Sequence, residues 1–348
     1  MRFQVGIEAT LRCNFTCRHC MVDAGRARRN EMGTEELKRL IQDLADCGVG
    51  SIGWSGGEPL LRHDLDALTA FGFKRGISFG LATNGFFADE NRLARLQASG
   101  LRVIQISVDG TDSEKAARHR RGPVSSFDRA IRAIQNSVSL GLQTYLCTLL
   151  LPETAAEIIE MLDFARDLGV DGIRYTMHAP AGRAQKNKYD EQLWDTSQIK
   201  KFFNIVASEK RRKRLRVLID CPTGPYPGKN MFRCGAGRNS AYITSVGDVY
   251  ACTALMTPEY RVGNTRETPV GDLLFSGNMQ KIQREMVRTL PGGTCKDCRD
   301  VNACRGGCPG RTILNFGQLR GGPHDGGAPV CFKRLLSPTM QTSEESRA

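Results

Sequence analysis

Three cysteines near the start of the chain, in the run Cys13-Asn14-Phe15-Thr16-Cys17-Arg18-His19-Cys20, stand as C-x3-C-x2-C directly after an apolar, strand-like stretch. Thiolates this close together ligate iron–sulfur clusters or zinc. Three of them can hold only three irons of a [4Fe–4S] cube, which leaves the fourth iron for an exogenous ligand. An electron carrier has no use for an open iron, whereas a site that works on a bound co-substrate does. Structural zinc is the competing reading, but such sites pair two C-x2-4-C knuckles. No second knuckle stands within reach of Cys13.

Three more motifs follow, each at the end of a strand-like run: Gly56-Gly57-Glu58, Thr83-Asn84-Gly85 and Ile106-Ser107-Val108-Asp109-Gly110. Singly, each is ordinary turn chemistry. In this order, behind the cysteines, they resemble the radical S-adenosylmethionine (radical SAM) superfamily. The resemblance implies that Cys13, Cys17 and Cys20 ligate a catalytic cluster whose open iron takes the amino and carboxylate groups of SAM. An injected electron then cleaves SAM to a 5′-deoxyadenosyl radical, which abstracts hydrogen from the substrate. It also implies that Gly56, Gly57 and Glu58 receive the methionine amino group, the glycines permitting close backbone approach. Asn84, Ser107 and Asp109 would bond the ribose or methionine carboxylate, and His19 would lie by the adenine. Asp109 suits a turn before Gly110 equally well.

A second array occupies the C-terminal third: Cys234 and Cys252, then Cys295-x2-Cys298-x5-Cys304-x3-Cys308, then Cys331. It resembles the seven-cysteine SPASM domain appended to many radical SAM enzymes, so the resemblance runs from Phe3 to about Cys331. By that resemblance two auxiliary [4Fe–4S] clusters are expected, making three in all. The inner one would sit on Cys234, Cys252 and Cys308, the outer one on Cys295, Cys298, Cys304 and Cys331. The Cys304-x3-Cys308-Pro309 run is like the ferredoxin loop whose last cysteine crosses to the other cluster. Cys221 is the nearest candidate for a fourth inner ligand. With it the cluster is closed and suits electron transfer or structure; without it an iron stays open to substrate. Clusters that only staple the fold, or zinc, are the alternatives.

Two cysteines remain. Cys47 ends a helical pattern and reads as packing. Cys147 falls on a strand where alternate side chains enter a barrel, as a hydrogen-atom donor to substrate or as a small core residue. Glu8, Arg174, Tyr175 and Met177, also on strand-like runs, could face the lumen or lie at strand ends on the surface.

The elements that must position these residues alternate β-like runs with amphipathic helical patterns. The runs are Phe3–Ala9, Gly50–Trp54, Ile77–Ala82, Val103–Val108, Thr144–Leu151 and Gly172–Met177. Helical patterns such as Thr34–Cys47, with Thr34 placed to cap, and Phe127–Leu140 fall between them. The fold class is therefore α/β: a partial (β/α)6 TIM-like barrel followed by a small cysteine-rich iron–sulfur domain. In such barrels the loops after the strands gather at one end, where all four motifs fall. Domains are expected at 1–220, ending in a linker helix Thr196–Arg214 and a short strand Leu215–Ile219, and at 221–335, with a disordered tail over 336–348.

The 348 residues carry a net charge of +12. Three loaded clusters on eleven thiolates would lower it to about +7, an ordinary value. The basic groups Arg26, Arg28 and Arg29, then Arg118, Arg120 and Arg121, then Lys210–Arg214 lack aromatic interleaving. They read as solvated helix faces rather than a nucleic-acid surface. No apolar run approaches a bilayer span and no signal-peptide pattern opens the chain, so thirteen cysteines point to metal ligation in a reducing cytoplasm. A flavodoxin- or ferredoxin-type electron donor is implied by the family. The first strand begins at residue 3, which leaves no room for a leader-peptide domain. This tips the expectation towards a small polar substrate such as an amino sugar or nucleoside, with a ribosomal peptide or a tetrapyrrole as alternatives. An electron carrier would need neither the open cysteine site nor the SAM-type motifs.

Overall fold

The computed structural model describes residues 3–177, 179–187, 201–208, 215–220, 234–288 and 308–316. Cys221, Cys295, Cys298, Cys304 and Cys331, the Lys210–Arg214 run and the tail lie outside them.

The six expected strands form as β1 Phe3–Thr10, β2 Val49–Gly56, β3 Ser78–Thr83, β4 Leu101–Ser107, β5 Gln143–Leu150 and β6 Gly172–Met177. They pair in parallel in sequence order. The sheet also extends beyond the six at both edges. β7 (Arg216–Asp220), the short strand expected in the linker at Leu215–Ile219, pairs in parallel with β6. On the other side β8 (Ser240–Ile243) pairs in parallel with β1 and leads the antiparallel strands β9 (Asp248–Tyr250) and β10 (Gly263–Asn264). The cysteine-rich region thus continues the barrel sheet, which gives β1 a partner where its backbone groups would otherwise form an exposed edge.

Period-two alternation divides each strand between two environments. Val5, Ile7, Ile52, Trp54, Phe79, Leu81, Ile104, Ile106, Leu146 and Ile173 belong to one continuous core that also takes Ile243 and Val249. Helix α1 (Thr34–Asp46) joins it with Leu37, Leu40, Ile41 and Leu44, an i, i+3, i+4, i+7 stripe. The opposite, concave face receives Glu8, Ser55, Ser107, Cys147 and Arg174. Tyr175 resolves to the core side, fully buried and edge-on to Phe202 at 5.1 Å. The Met177 side chain is outside the described set.

One capping expectation changes. Gly33, not Thr34, caps α1, and its N–H donates to the Glu36 carboxylate at 3.0 Å. The Thr34 hydroxyl donates instead to Asp64, 2.7 Å away, tying the start of α1 to the next helix.

Candidate active site

The cysteine loop leaves the top of β1 and has little regular structure of its own, so its backbone groups must find partners elsewhere. Cys13 N–H donates to Gly25 O at 3.0 Å, Thr16 N–H to Arg121 O at 2.8 Å and Arg18 N–H to His119 O at 3.1 Å. The segment after β6 supplies further donors. Arg183 N–H reaches Cys20 O at 2.9 Å, and its guanidinium reaches Cys17 O at 3.1 Å. The loop is therefore held between the top of β6 and the segment that follows β4.

The glycines of the second motif act on this loop. Their close approach in the structure is to the loop's own backbone. A Cβ at Gly57 would lie 2.2 Å from Arg12 O, and Gly56 has φ +121° with Thr10 O at 2.5 Å from its would-be Cβ. That closeness lets Gly57 N–H donate to Thr10 O at 2.8 Å and Glu58 N–H to Arg12 O at 2.7 Å. Gly57→Ala is expected to force the strand end off the loop, costing about 2 kcal/mol as an overpacked contact. Thermal unfolding and iron content per chain, both lowered, check this.

Glu58 is fully buried. Its carboxylate accepts from Leu60 N–H at 3.0 Å, Thr83 Oγ1 at 2.8 Å and Asn84 N–H at 2.8 Å, locking the top of β2 to the top of β3. Burial pushes its pKa up to about 7, with the three donors pulling the other way. Asn84 is likewise engaged: its Nδ2 donates to Asn14 Oδ1 at 2.9 Å and its Oδ1 accepts from Phe86 N–H. Both residues hold the loop ends in place.

Asp109 is buried and its Oδ2 lies 2.6 Å from Arg120 Nε, an ion pair whose angle departs from hydrogen-bond geometry. Its Oδ1 accepts from Leu149 N–H at 2.7 Å. Burial would raise the Asp109 pKa, but Arg120, then His19 and the Leu149 N–H, outweigh it and hold the carboxyl below its usual range. Asp109 is therefore an ion-pair residue that joins β4 to β5 rather than a simple turn former. Arg120, which the sequence placed on a solvated face, lies inward and eases the ionisation of Cys17. Ser107, Asn84, Phe15 and Arg120 line a cavity of about 130 Å³. The sequence signal for Arg120 was only its place in a basic run.

Arg28 also leaves the expected solvated face. It donates through Nε to the fully buried Glu8 at 2.9 Å, and Ser245 Oγ donates to the same carboxylate at 2.7 Å. Glu8 faces the lumen as one reading had it, yet its acceptors are spent within the protein. Cys147 is partly buried, with its Sγ 3.2 Å from Thr176 Oγ1. Cys47 packs against Gly271, whose would-be Cβ lies 2.6 Å from its sulfur.

The thiols fit a cluster in their chemistry. Burial above all, then Glu58, Cys17 and Cys20, push the Cys13 thiol up to about 12 against the Phe15 N–H. Burial raises Cys17 as well, with Arg120 opposing. Two neighbouring thiols that resist ionising alone, Cys13 and Cys17, need a cationic centre to do so together. N–H groups already point at two of the sulfurs, Phe15 N at Cys13 Sγ (3.4 Å) and Ala24 N at Cys20 Sγ (3.3 Å), as outer-shell donors do at metal thiolates. Among the described residues no three His, Cys, Asp or Glu side chains meet as ligands of a single ion do. A sulfide-bridged cube spreads its thiolates more widely than one ion would.

Of the second array, Cys234, Cys252 and Cys308 come within electrostatic reach of one another, and burial foremost raises Cys252 and Cys234. Cys308 opens the helix Pro309–Phe316, its carbonyl accepting from Thr312 N–H at 3.1 Å. Between the two cysteine groups lies a cleft of about 690 Å³. It is walled by Met21 and Val22 behind Cys20, by residues 180–182 behind β6, and by Tyr250, Thr253 and Ile313 beside Cys252 and Cys308.

Comparison with known proteins gives this geometry a family. The Radical SAM superfamily model matches residues 7–165 and the SPASM model, an iron-sulfur cluster-binding domain, matches residues 234–299. The chain is a radical SAM enzyme with a C-terminal SPASM domain, which binds SAM at a [4Fe–4S] cluster and carries auxiliary clusters. Mycofactocin maturase of Mycolicibacterium smegmatis is 28% identical, over 96% of this chain and 83% of that protein. PqqA peptide cyclase of Xanthomonas axonopodis pv. citri is 29% identical, over 98% of this chain and 91% of the relative. The fold is similar to SuiB of Streptococcus suis bound to S-adenosylmethionine, with a TM-score of 0.73 and 19% identity over 90% of this chain and 74% of SuiB. Among the described residues no helix is long and apolar enough to cross a membrane.

Proposed function

We propose that this enzyme is a maturase whose substrate is a peptide. Similarity over nearly the whole chain to a maturase and a peptide cyclase carries this reading. It replaces the preference for a small polar substrate, which rested on where the first strand starts. The cleft of about 690 Å³ supports it, being open and walled by both cysteine-bearing regions.

In this reading Cys13, Cys17 and Cys20 hold the SAM-binding cluster. Cys234, Cys252 and Cys308, with Cys221, hold the inner auxiliary cluster, and Cys295, Cys298, Cys304 and Cys331 the outer one. When bound, the cluster and SAM supply a 5′-deoxyadenosyl radical that removes a hydrogen atom from the substrate. The chain's part is to orient and exclude. Gly56, Gly57 and Glu58 fix the strand end beside the cluster loop, and Asn84 and His19 frame the SAM pocket. Ser107 and Arg120 line a cavity of about 130 Å³, where a hydroxyl and a guanidinium suit a carboxylate. Asp109 keeps the guanidinium oriented at 2.6 Å. Cys147, on the concave face, is available as a hydrogen-atom donor, and a flavodoxin- or ferredoxin-type protein delivers the electron.

Anaerobically reconstituted enzyme with SAM and reductant is the test, with cell extract split by ultrafiltration into peptide and small-molecule fractions. The peptide fraction is expected to stimulate 5′-deoxyadenosine release and to contain a species whose mass changes. Stimulation by the small-molecule fraction alone would return the substrate to the amino-sugar or nucleoside class.

A further inference from the structure

We propose that Arg183 is a positioning residue for the catalytic cysteine loop, setting the geometry in which the cluster meets SAM. The inference rests on the reading that Cys13, Cys17 and Cys20 hold that cluster. Arg183 lies far from them in sequence, in the short helix Gly182–Lys186 after β6. Four contacts run from this one residue to the loop. Its main-chain N–H donates to Cys20 O at 2.9 Å. Its guanidinium donates through Nη1 to Cys17 O at 3.1 Å and through Nη2 to Ala24 O at 2.5 Å, and it pairs with Asp23 Oδ1 at 3.0 Å.

The carbonyls it takes belong to two of the three cysteines and to the residue whose N–H points at the Cys20 sulfur. Holding those carbonyls restrains the backbone at Cys17, Cys20 and Ala24, and with it the directions of the two thiolates and that N–H. A planar fork can serve two carbonyls and a carboxylate at once, which a lysine ammonium at the end of a flexible stem cannot do with the same direction. The approach is close: Gly182 has φ +57°, and a Cβ there would stand 2.5 Å from Met21 O. Lys186 adds a bond of 2.6 Å to Asp23, so the Asp23 carboxylate is anchored from two sides. Groups that orient metal ligands from outside typically change affinity or activity by about 10–100-fold when removed.

The experiment compares full-length, cluster-loaded Arg183→Ala and Arg183→Lys with the parent. The readouts are iron content, thermal midpoint, and the electron paramagnetic resonance of the reduced enzyme before and after SAM. The alanine variant is expected to retain the auxiliary signals and thermal midpoint while losing the SAM-induced spectral change, with 5′-deoxyadenosine release down about 10–100-fold. The lysine variant is expected to keep all clusters and regain part of the change. A parent-like SAM response in Arg183→Ala overturns the proposal. So does uniform loss of all cluster signals with a lowered midpoint in both variants, which would mark a general stabilising role. Cys17→Ala, run alongside, separates the two ideas, because SAM cleavage surviving there would sink the ligand reading itself.

Discussion

The Cys17→Ala variant is expected to release no 5′-deoxyadenosine above background while its auxiliary clusters persist. With two thiolates the catalytic cube loses the ligand set that leaves one iron open, and no other described cysteine lies in that loop to replace it. The auxiliary signals survive because Cys234, Cys252 and Cys308 form a separate group on the far side of the 690 Å³ cleft. Iron analysis, resonance spectra and product chromatography on one preparation decide it. Retained SAM cleavage would remove Cys17 from the catalytic site.

The second large effect is expected at Glu58. Alanine there strands the Leu60 and Asn84 N–H groups and the Thr83 hydroxyl without an acceptor. At about 1–3 kcal/mol for each buried donor left unpaired, the local cost is on the order of 4 kcal/mol. Glu58→Gln keeps the shape but turns an amide N–H₂ towards one of those donors, costing about 2 kcal/mol. Both variants are expected to bind SAM more weakly, because the tops of β2 and β3 are held together by fewer bonds.

A pH dependence accompanies it, and its sign follows from burial. Glu58 is raised from an ordinary 4.5 to about 7, so the folded state holds its proton more tightly than the unfolded chain. Its contribution is therefore full below about pH 4.5, declines as pH rises through about 7, and is constant above. Hydrogen exchange at the Leu60 and Asn84 amides, corrected for intrinsic rates, is expected to show protection falling across that interval in the parent. In Glu58→Gln the same slope is expected to vanish, and an unchanged slope would assign the titration to another group.

Glu58 and Asp109 also show what a motif conveys and what it hides. Their sequence context located them at strand ends beside the cysteines, and there they are. What each carboxylate bonds depends on the donors the fold brings, and apart from the neighbouring Leu60 N–H those come from Thr83, Asn84, Arg120 and Leu149, beyond any local pattern. Arg28 and Arg120 make the converse case. Each sits in a run that resembles a solvated face, yet each turns inward because a buried carboxylate, Glu8 or Asp109, lies within bonding distance. Burying that charge alone would be costly, so the partner follows it inside.

The alternation of strands and helices, the gathering of four motifs at one end of the barrel, and the two cysteine arrays are all legible in the residue pattern. Spacing and period are one-dimensional properties, and hydrophobic alternation imposes them on any fold the chain can adopt. The rest depended on the three-dimensional fold. It paired β7 and β8 with the barrel sheet, and it set the glycines against the backbone of the cysteine loop. It also delivered Arg183 to that loop across most of the barrel domain. These are pairings between residues far apart in the chain, made because each buried carbonyl, carboxylate and strand edge must find a partner in three dimensions.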